Sequence, residues 1–228
     1  MGFAVQAIYA PARALQNIKV RFTKTERLNE ENLDLKRRVG ELSVELSRTK
    51  QKEEQIKRLE KLLGFKKSLK YDAKASRVIA RDTAGLRKFL VIDNGSRDGI
   101  KENTPCVSLE GIVGNVIDTS SETSKVMLIT DPASRIGVTI CSSGEIGLLV
   151  GGVDGQCRVI YLGLDGDIKT GDAIVTSGAS SLFPEGLAVG TVKRLGTERT
   201  KLYRYAEIIP YAKMEKIREV LVLNAGER

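Results

Sequence analysis

Between residues 18 and 63 apolar side chains return at alternating intervals of four and three, a period that restricts what this chain can fold into. With Leu28 placed at d, the residues Leu28, Leu35, Leu42 and Ile56 share one seven-residue register, and Val39 and Leu46 share the other. Heptads of this kind gather the a and d residues on a stripe narrower than a globular core needs and suited to a partner helix. Leucine at d with a β-branched residue at a favours two parallel strands. Asn32 occupies an a position, where its amide is satisfied against its own copy in an in-register dimer, fixing register at some loss of stability. The flanks agree, since Glu31 at g meets Lys36 at the next e and Glu45 meets Lys50. The seam weakens at Thr49 and Glu53, then resumes on Ile56, Leu59 and Leu63 after a shortened step. The expectation is a homodimer seamed by Leu28, Asn32, Leu35, Val39, Leu42, Leu46 and Ile56. The alternative is one amphipathic helix folded back on its own protein.

None of the 228 residues is a histidine. That excludes Ser-His-Asp and Cys-His nucleophile pairs, histidine-ligated metals and a histidine general base. Cys106, Cys141 and Cys157 are too few and too far apart for a zinc site, and all three read as buried small hydrophobes. No cofactor or metal is expected. The formal net charge of +8 is unevenly placed: residues 19–70 hold 16 Lys and Arg against 9 Asp and Glu, whereas residues 71–228 hold 20 of each. The basic excess therefore belongs to the helix, either as a solvated surface or as an attraction for anionic headgroups or nucleic acid.

Residues 1–17 are mildly apolar but contain nothing near the 18 apolar residues a spanning helix requires, so they read as a juxtamembrane segment at most. Gly64 is expected to end a coiled coil over 18–64, followed by a hinge over 65–74. From there the period becomes that of strands. About a dozen short runs rich in Val, Ile and Leu alternate with turns such as Asn94-Gly95, Asp98-Gly99, Glu110-Gly111 and Asp131-Pro132. The fold class is therefore mainly β with an N-terminal α-helical coiled coil, its β part closed or sandwiched. The breaker cluster Gly151-Gly152 with Asp154-Gly155 is taken as a domain boundary. This gives a first β domain over 75–152 and a second over 153–228, the C-terminal strand being free to return to the first. Glu110-Gly111-Ile112-Val113-Gly114 echoes Glu185-Gly186-Leu187-Ala188-Val189-Gly190 with an offset of one, a weak sign of duplication. Gly95, Gly114, Gly178 and Gly190 are read as turns or tight corners.

Thr176-Ser177-Gly178 is the most enzyme-like string, yet no histidine exists to activate the serine and no particular lysine offers itself. Taken in order, several motifs resemble the MreC family of bacterial cell-shape-determining proteins. They are Glu31-Asn32 with Leu35; Asp93, Gly95, Ser96 and Gly99; Gly111-Ile112-Val113-Gly114 with Val116; Ser124, Val126, Leu128, Thr130 and Asp131. Gly171-Asp172, Val175-Thr176-Ser177-Gly178, Phe183-Pro184, Gly186, Val189-Gly190 and Val192 complete them.

The resemblance implies a non-enzymatic dimeric scaffold of the cell-wall elongation complex, built as a coiled coil followed by two six-stranded β-barrels of chymotrypsin type without catalytic residues. It implies a single-pass anchor in the cytoplasmic membrane upstream of this chain, with this portion periplasmic or extracellular. It also implies a class B penicillin-binding transpeptidase and the membrane protein MreD as partners. Leu182, Phe183 and Pro184 are the candidate partner contact, against the alternative that Phe183 plugs a barrel. The rival function, a basic coiled-coil nucleic-acid-binding protein with a β-barrel module, needs a basic, aromatic barrel face. The charge balance and low aromatic content of the β region argue against a nucleic-acid partner.

Overall fold

The computed structural model describes residues 10–69, 71–179, 182–198 and 201–224, with side chains from Glu30 onward except those of Ser68 and Asn224. It divides into two compact units, Met1–Leu59 and Glu60–Arg228. The first consists of helix α1, which runs from Ala10 to Ser68 and carries its last turns into the second unit. At 1.5 Å per residue its 59 residues extend roughly 90 Å. Lys66 and Lys67 lie in its final turn, where cations meet the negative end of the helix dipole.

Gly64 does not end the helix. Leu62 is buried, and together with Phe65 and Leu69 it packs on Ala73, Val107, Leu221 and Leu223, so burial offsets the low helix propensity of glycine at this point. Because α1 continues to Ser68 and the first strand begins at Asp72, regular structure takes up most of the hinge expected over 65–74. Gly40 also lies within the helix, with nothing within 4 Å of the position its Cβ would take. Gly40→Ala should therefore raise helix stability by about 1 kcal/mol, read as a higher midpoint of the helical circular-dichroism signal.

Twelve strands follow: β1 (Asp72–Asp82), β2 (Phe89–Ile92), β3 (Pro105–Val107), β4 (Ile112–Thr119), β5 (Ser124–Leu128), β6 (Arg135–Ile140), β7 (Ile146–Gly151), β8 (Cys157–Leu162), β9 (Ala173–Thr176), β10 (Ala188–Thr197), β11 (Arg204–Pro210) and β12 (Glu219–Asn224). They form two closed six-stranded barrels. The first closes in the order β12, β1, β2, β5, β4, β3; the second closes as β6, β7, β8, β11, β10, β9. If β12 is counted as a first strand, the two rings have the same order. The barrels thus share one topology, and the final strand of the chain supplies the position that β6 fills in the second. Their sequence echo falls on equivalent strands, β4 and β10. Gly114 of β4 lies over the Met127 carbonyl of β5, and Gly190 of β10 lies over the Ile209 carbonyl of β11. Bulges between Val116 and Asp118 and between Val192 and Arg194 bend these strands as closure demands.

The barrel junction lies between β5 and β6, at residues 129–134, and not at Gly151-Gly152. Gly151 ends β7 of the second barrel, where a Cβ would stand 2.2 Å from the Asp131 carbonyl oxygen. The glycine is there for close approach, which looks the same in sequence as a linker. Asp131, almost fully buried, orders this junction: Oδ2 accepts the Lys88 backbone N–H at 2.6 Å and Oδ1 accepts that of Ala133 at 2.7 Å. The buried Lys88 reaches from the first barrel to the second, donating from Nζ to the carbonyls of Gly152 (2.6 Å) and Val153 (2.9 Å). An ammonium out of water needs such acceptors. One hydrophobic cluster joins both interiors, including Leu90, Val126 and Ile129 of the first half and Ile136, Leu149 and Ile174 of the second.

Candidate functional site

The seam residues of α1 are exposed in the single chain: Leu35, Val39, Leu42, Leu46 and Ile56 are each more than half accessible, and Asn32 is exposed beside them. Leu28 lies outside the residues whose side chains are described. Five large apolar side chains on one face of a helix are a poor fit to water, and an a/d stripe is the pattern that partner helices cover in coiled coils. Arg38 and Asp34 form an i,i+4 ion pair at 2.9 Å. Leu33 and Val44 are also exposed, off the seam at b and f, so the apolar surface is wider than the heptad register alone indicates.

The loop after β9 behaves differently. Phe183 is 2% exposed and belongs to the core cluster, while Leu182 is partly buried against that core. Pro184 is half-buried and its carbonyl accepts a short hydrogen bond from the Thr176 hydroxyl, at 2.5 Å. The Thr176 Oγ1 in turn accepts the Leu187 backbone N–H at 2.9 Å. These bonds hold the loop down with its aromatic ring inside the barrel, so Phe183 has no side chain to offer a partner. The adjoining Ser177-Gly178 is a turn: Gly178 has φ +67°, and Ser177 Oγ accepts the Ala179 N–H at 3.3 Å. Among the described residues no cluster of three acidic, cysteine or histidine side chains could hold a metal.

The three cysteines are free. Cys106 and Cys157 are buried, and burial pushes the Cys157 thiol up to about 12, with Sγ donating to the Ile129 carbonyl at 3.4 Å. Cys141, read from sequence as buried, is exposed, because β6 ends at Ile140 and the chain turns there.

On the outside of the second barrel, Glu207 of β11 sits between two guanidinium groups. Arg194 donates to both of its oxygens, at 2.6 and 3.2 Å, and Arg158 approaches at 3.7 Å. The hydrogen bonds from Arg194 hold the Glu207 carboxyl below its ordinary value, against the opposing effect of burial. A depressed carboxylate contributes stability that is complete above the ordinary glutamate value and is lost as pH falls through the lowered one. Glu207→Gln should therefore melt lower than the unsubstituted protein at pH 7, and the two curves should converge as the pH is taken into the acid range; parallel curves would contradict the ion-pair account. Sequence reasoning missed this row, since Arg158, Arg194 and Glu207 become neighbours only through strand register.

Among the described residues no helix is long and apolar enough to cross a membrane. The barrel-core model of rod shape-determining protein MreC matches residues 78–224. The chain is 28% identical to the cell shape-determining protein MreC of Escherichia coli over 233 residues, covering all of this chain and 64% of that protein. A solved MreC structure superposes with a TM-score of 0.70 at 30% identity, covering 75% of this chain and 97% of that one. The same fold recurs in MreC from Helicobacter pylori, solved in complex with the penicillin-binding protein PBP2, at a TM-score of 0.56 and 15% identity over 68% of this chain and 98% of that one.

Proposed function

The chain belongs to the MreC family of rod shape-determining proteins, and from that premise we propose that it is a dimeric, non-enzymatic scaffold that holds a cell-wall transpeptidase in place. The observation that carries this reading is the exposed seam of α1, a surface that pairing would bury and that no reaction would use. The barrels suit the same role. Closed rings leave no strand edge to recruit a stray chain, and a shared core with the Lys88 and Asp131 junction makes them a rigid body for presenting a surface. With no histidine anywhere in the sequence and Ser177 engaged in a turn, the chemistry falls to the partner.

The partner is a class B penicillin-binding transpeptidase, a reading supported by the Helicobacter pylori protein of the same fold that was solved with PBP2. MreD and a membrane anchor upstream belong to the same proposal, with the barrels on the outer side of the cytoplasmic membrane. Immobilised chain should capture the purified ectodomain of the transpeptidase from the same bacterium at micromolar concentration. Absence of capture, with both proteins folded, would rule the reading out.

A further inference from the structure

Four connections of the double barrel meet around a cleft of about 380 Å³, inside the range that small-molecule sites occupy. Thr83 follows β1, Thr130 lies in the segment that joins the barrels, Asp154 turns β7 into β8, and residues 210–216 carry the chain from β11 towards β12. Neither barrel could form the cleft alone. Ala212 and Met214 are buried and supply an apolar floor. Thr130 is 8% exposed and lines the cleft, yet its hydroxyl has no hydrogen-bond partner among the described residues. Buried hydroxyls are nearly always paired, so this one points to a partner brought in from outside. The charged groups around it are in the same condition. Lys213, Glu215 and Lys216 are exposed and none forms an ion pair with a described residue, while Asp154 engages only Oδ1, which accepts the Gln156 N–H at 3.1 Å.

The walls are held in place by the protein itself. Arg81 donates from Nη2 to the Ile217 carbonyl at 2.6 Å and from Nη1 to that of Glu215, and the Lys213 N–H reaches Glu110 Oε2 at 3.3 Å. The Lys216 N–H closes a turn on the Lys213 carbonyl at 2.8 Å. Just before Asp154, the buried Lys88 holds the Gly152 and Val153 carbonyls. A cleft fixed in this way binds without first being ordered. Its two ammonium and two carboxylate groups sum to no net charge, which disfavours a bare anion or metal ion and suits a ligand carrying both signs. We infer that the inter-barrel cleft binds a short zwitterionic peptide with small aliphatic side chains. The peptide carboxylate lies on Lys213 and Lys216, its ammonium on Asp154 and Glu215, and its methyl groups on Ala212 and Met214, with a peptide carbonyl accepting from Thr130. This binding needs no transpeptidase, so it stands or falls separately from the scaffold role.

The test uses the full chain with trialanine as the probe, followed by TROSY amide spectra. Trialanine should shift the resonances of residues 83, 130, 154–155 and 212–216 and saturate with a Kd of about 1 mM or lower. Thr130→Val keeps the side-chain shape without the hydroxyl and should weaken binding at least threefold; Lys213→Ala combined with Lys216→Ala should weaken it at least tenfold. N-acetyl-trialanine amide, which lacks both terminal charges, should not compete, and neither should inorganic phosphate at the same concentration. The absence of any saturable shift at about 10 mM trialanine overturns the site. Binding of the N-acetyl amide or of phosphate as tight as that of trialanine also overturns it, because a ligand of both signs is then not what the cleft selects. Unchanged affinity in either variant does the same. If Thr130→Val does not fold, the lysine pair, whose side chains are exposed, decides alone.

Discussion

Alanine at position 114 should leave the first barrel unable to close. The Cβ it adds would lie 1.7 Å from the Met127 carbonyl oxygen, 2.8 Å from the Met127 carbonyl carbon and 3.2 Å from the Leu128 Cα, all of them backbone atoms of β5. A flexible side chain can swing away from such a contact, but a strand hydrogen-bonded on both sides cannot. Here β5 is paired to β2 from Phe89 to Ile92 and to β4 itself through Leu128 and Met127. Relief requires parting β4 from β5, which opens a core containing Val113, Val116, Val126 and Leu128, none of them accessible to solvent. The expected loss is about 3 kcal/mol or more, the upper part of the range for overpacking. At roughly 2 to 4 °C per kcal/mol for a domain of this size, the melting temperature should fall by about 6 to 12 °C or more, with β circular dichroism as the measurement. Gly40→Ala serves as the internal contrast, since a Cβ there meets nothing. A melting temperature unchanged by Gly114→Ala but accompanied by lost partner binding would show that the position is a contact and not a corner.

That contrast also bears on what could be read from the residues alone. The heptads and the switch to short strands are local or periodic signals, because side-chain direction follows directly from helix and strand geometry, whereas the two barrels came from the family resemblance and only a weak echo in the residues. Strand order is not local. The sequence left the C-terminal strand free to return to the first barrel, but nothing near Glu219–Asn224 names its partner; the pairing with Asp72–Arg77 across the whole β region is what settles the return. Glycine was ambiguous for a physical reason. The same residue type marks a flexible linker, a positive-φ turn and a site of close backbone approach, and Gly151 proved to be the last of these. Phe183 was visible as a large apolar residue in a loop, but whether such a ring points in or out depends on packing beyond its neighbours in sequence. The edge-on contact of Tyr161 with Tyr203 was invisible for the same cause, the two being neighbours only through the β8–β11 pairing.

Replacing both Leu35 and Leu42 with glutamate should convert the proposed dimer to monomers while leaving the barrels folded. These two d residues are 55% and 63% exposed in the single chain, so neither belongs to the fold of one copy. Their burial against a second helix would contribute roughly 1.5 to 3 kcal/mol per side chain, four side chains per dimer. Glutamate removes that contribution and places like charges across the seam, with Glu31, Glu41 and Glu45 already close in sequence. The barrels are shielded from this change, because the helical residues that pack on them, Leu62 and Phe65, lie twenty or more positions further on. Sedimentation equilibrium should therefore give the mass of one chain, 24.9 kDa, with the β signal and its melting temperature retained. Asn32→Val should act in the opposite sense, raising helix stability while relaxing register, because a buried amide then no longer selects the in-register pair. Undiminished dimer mass in the double glutamate variant would mean that another surface joins the copies. The seam would then be a cover for something else, and the scaffold would have to be rebuilt around the barrels alone.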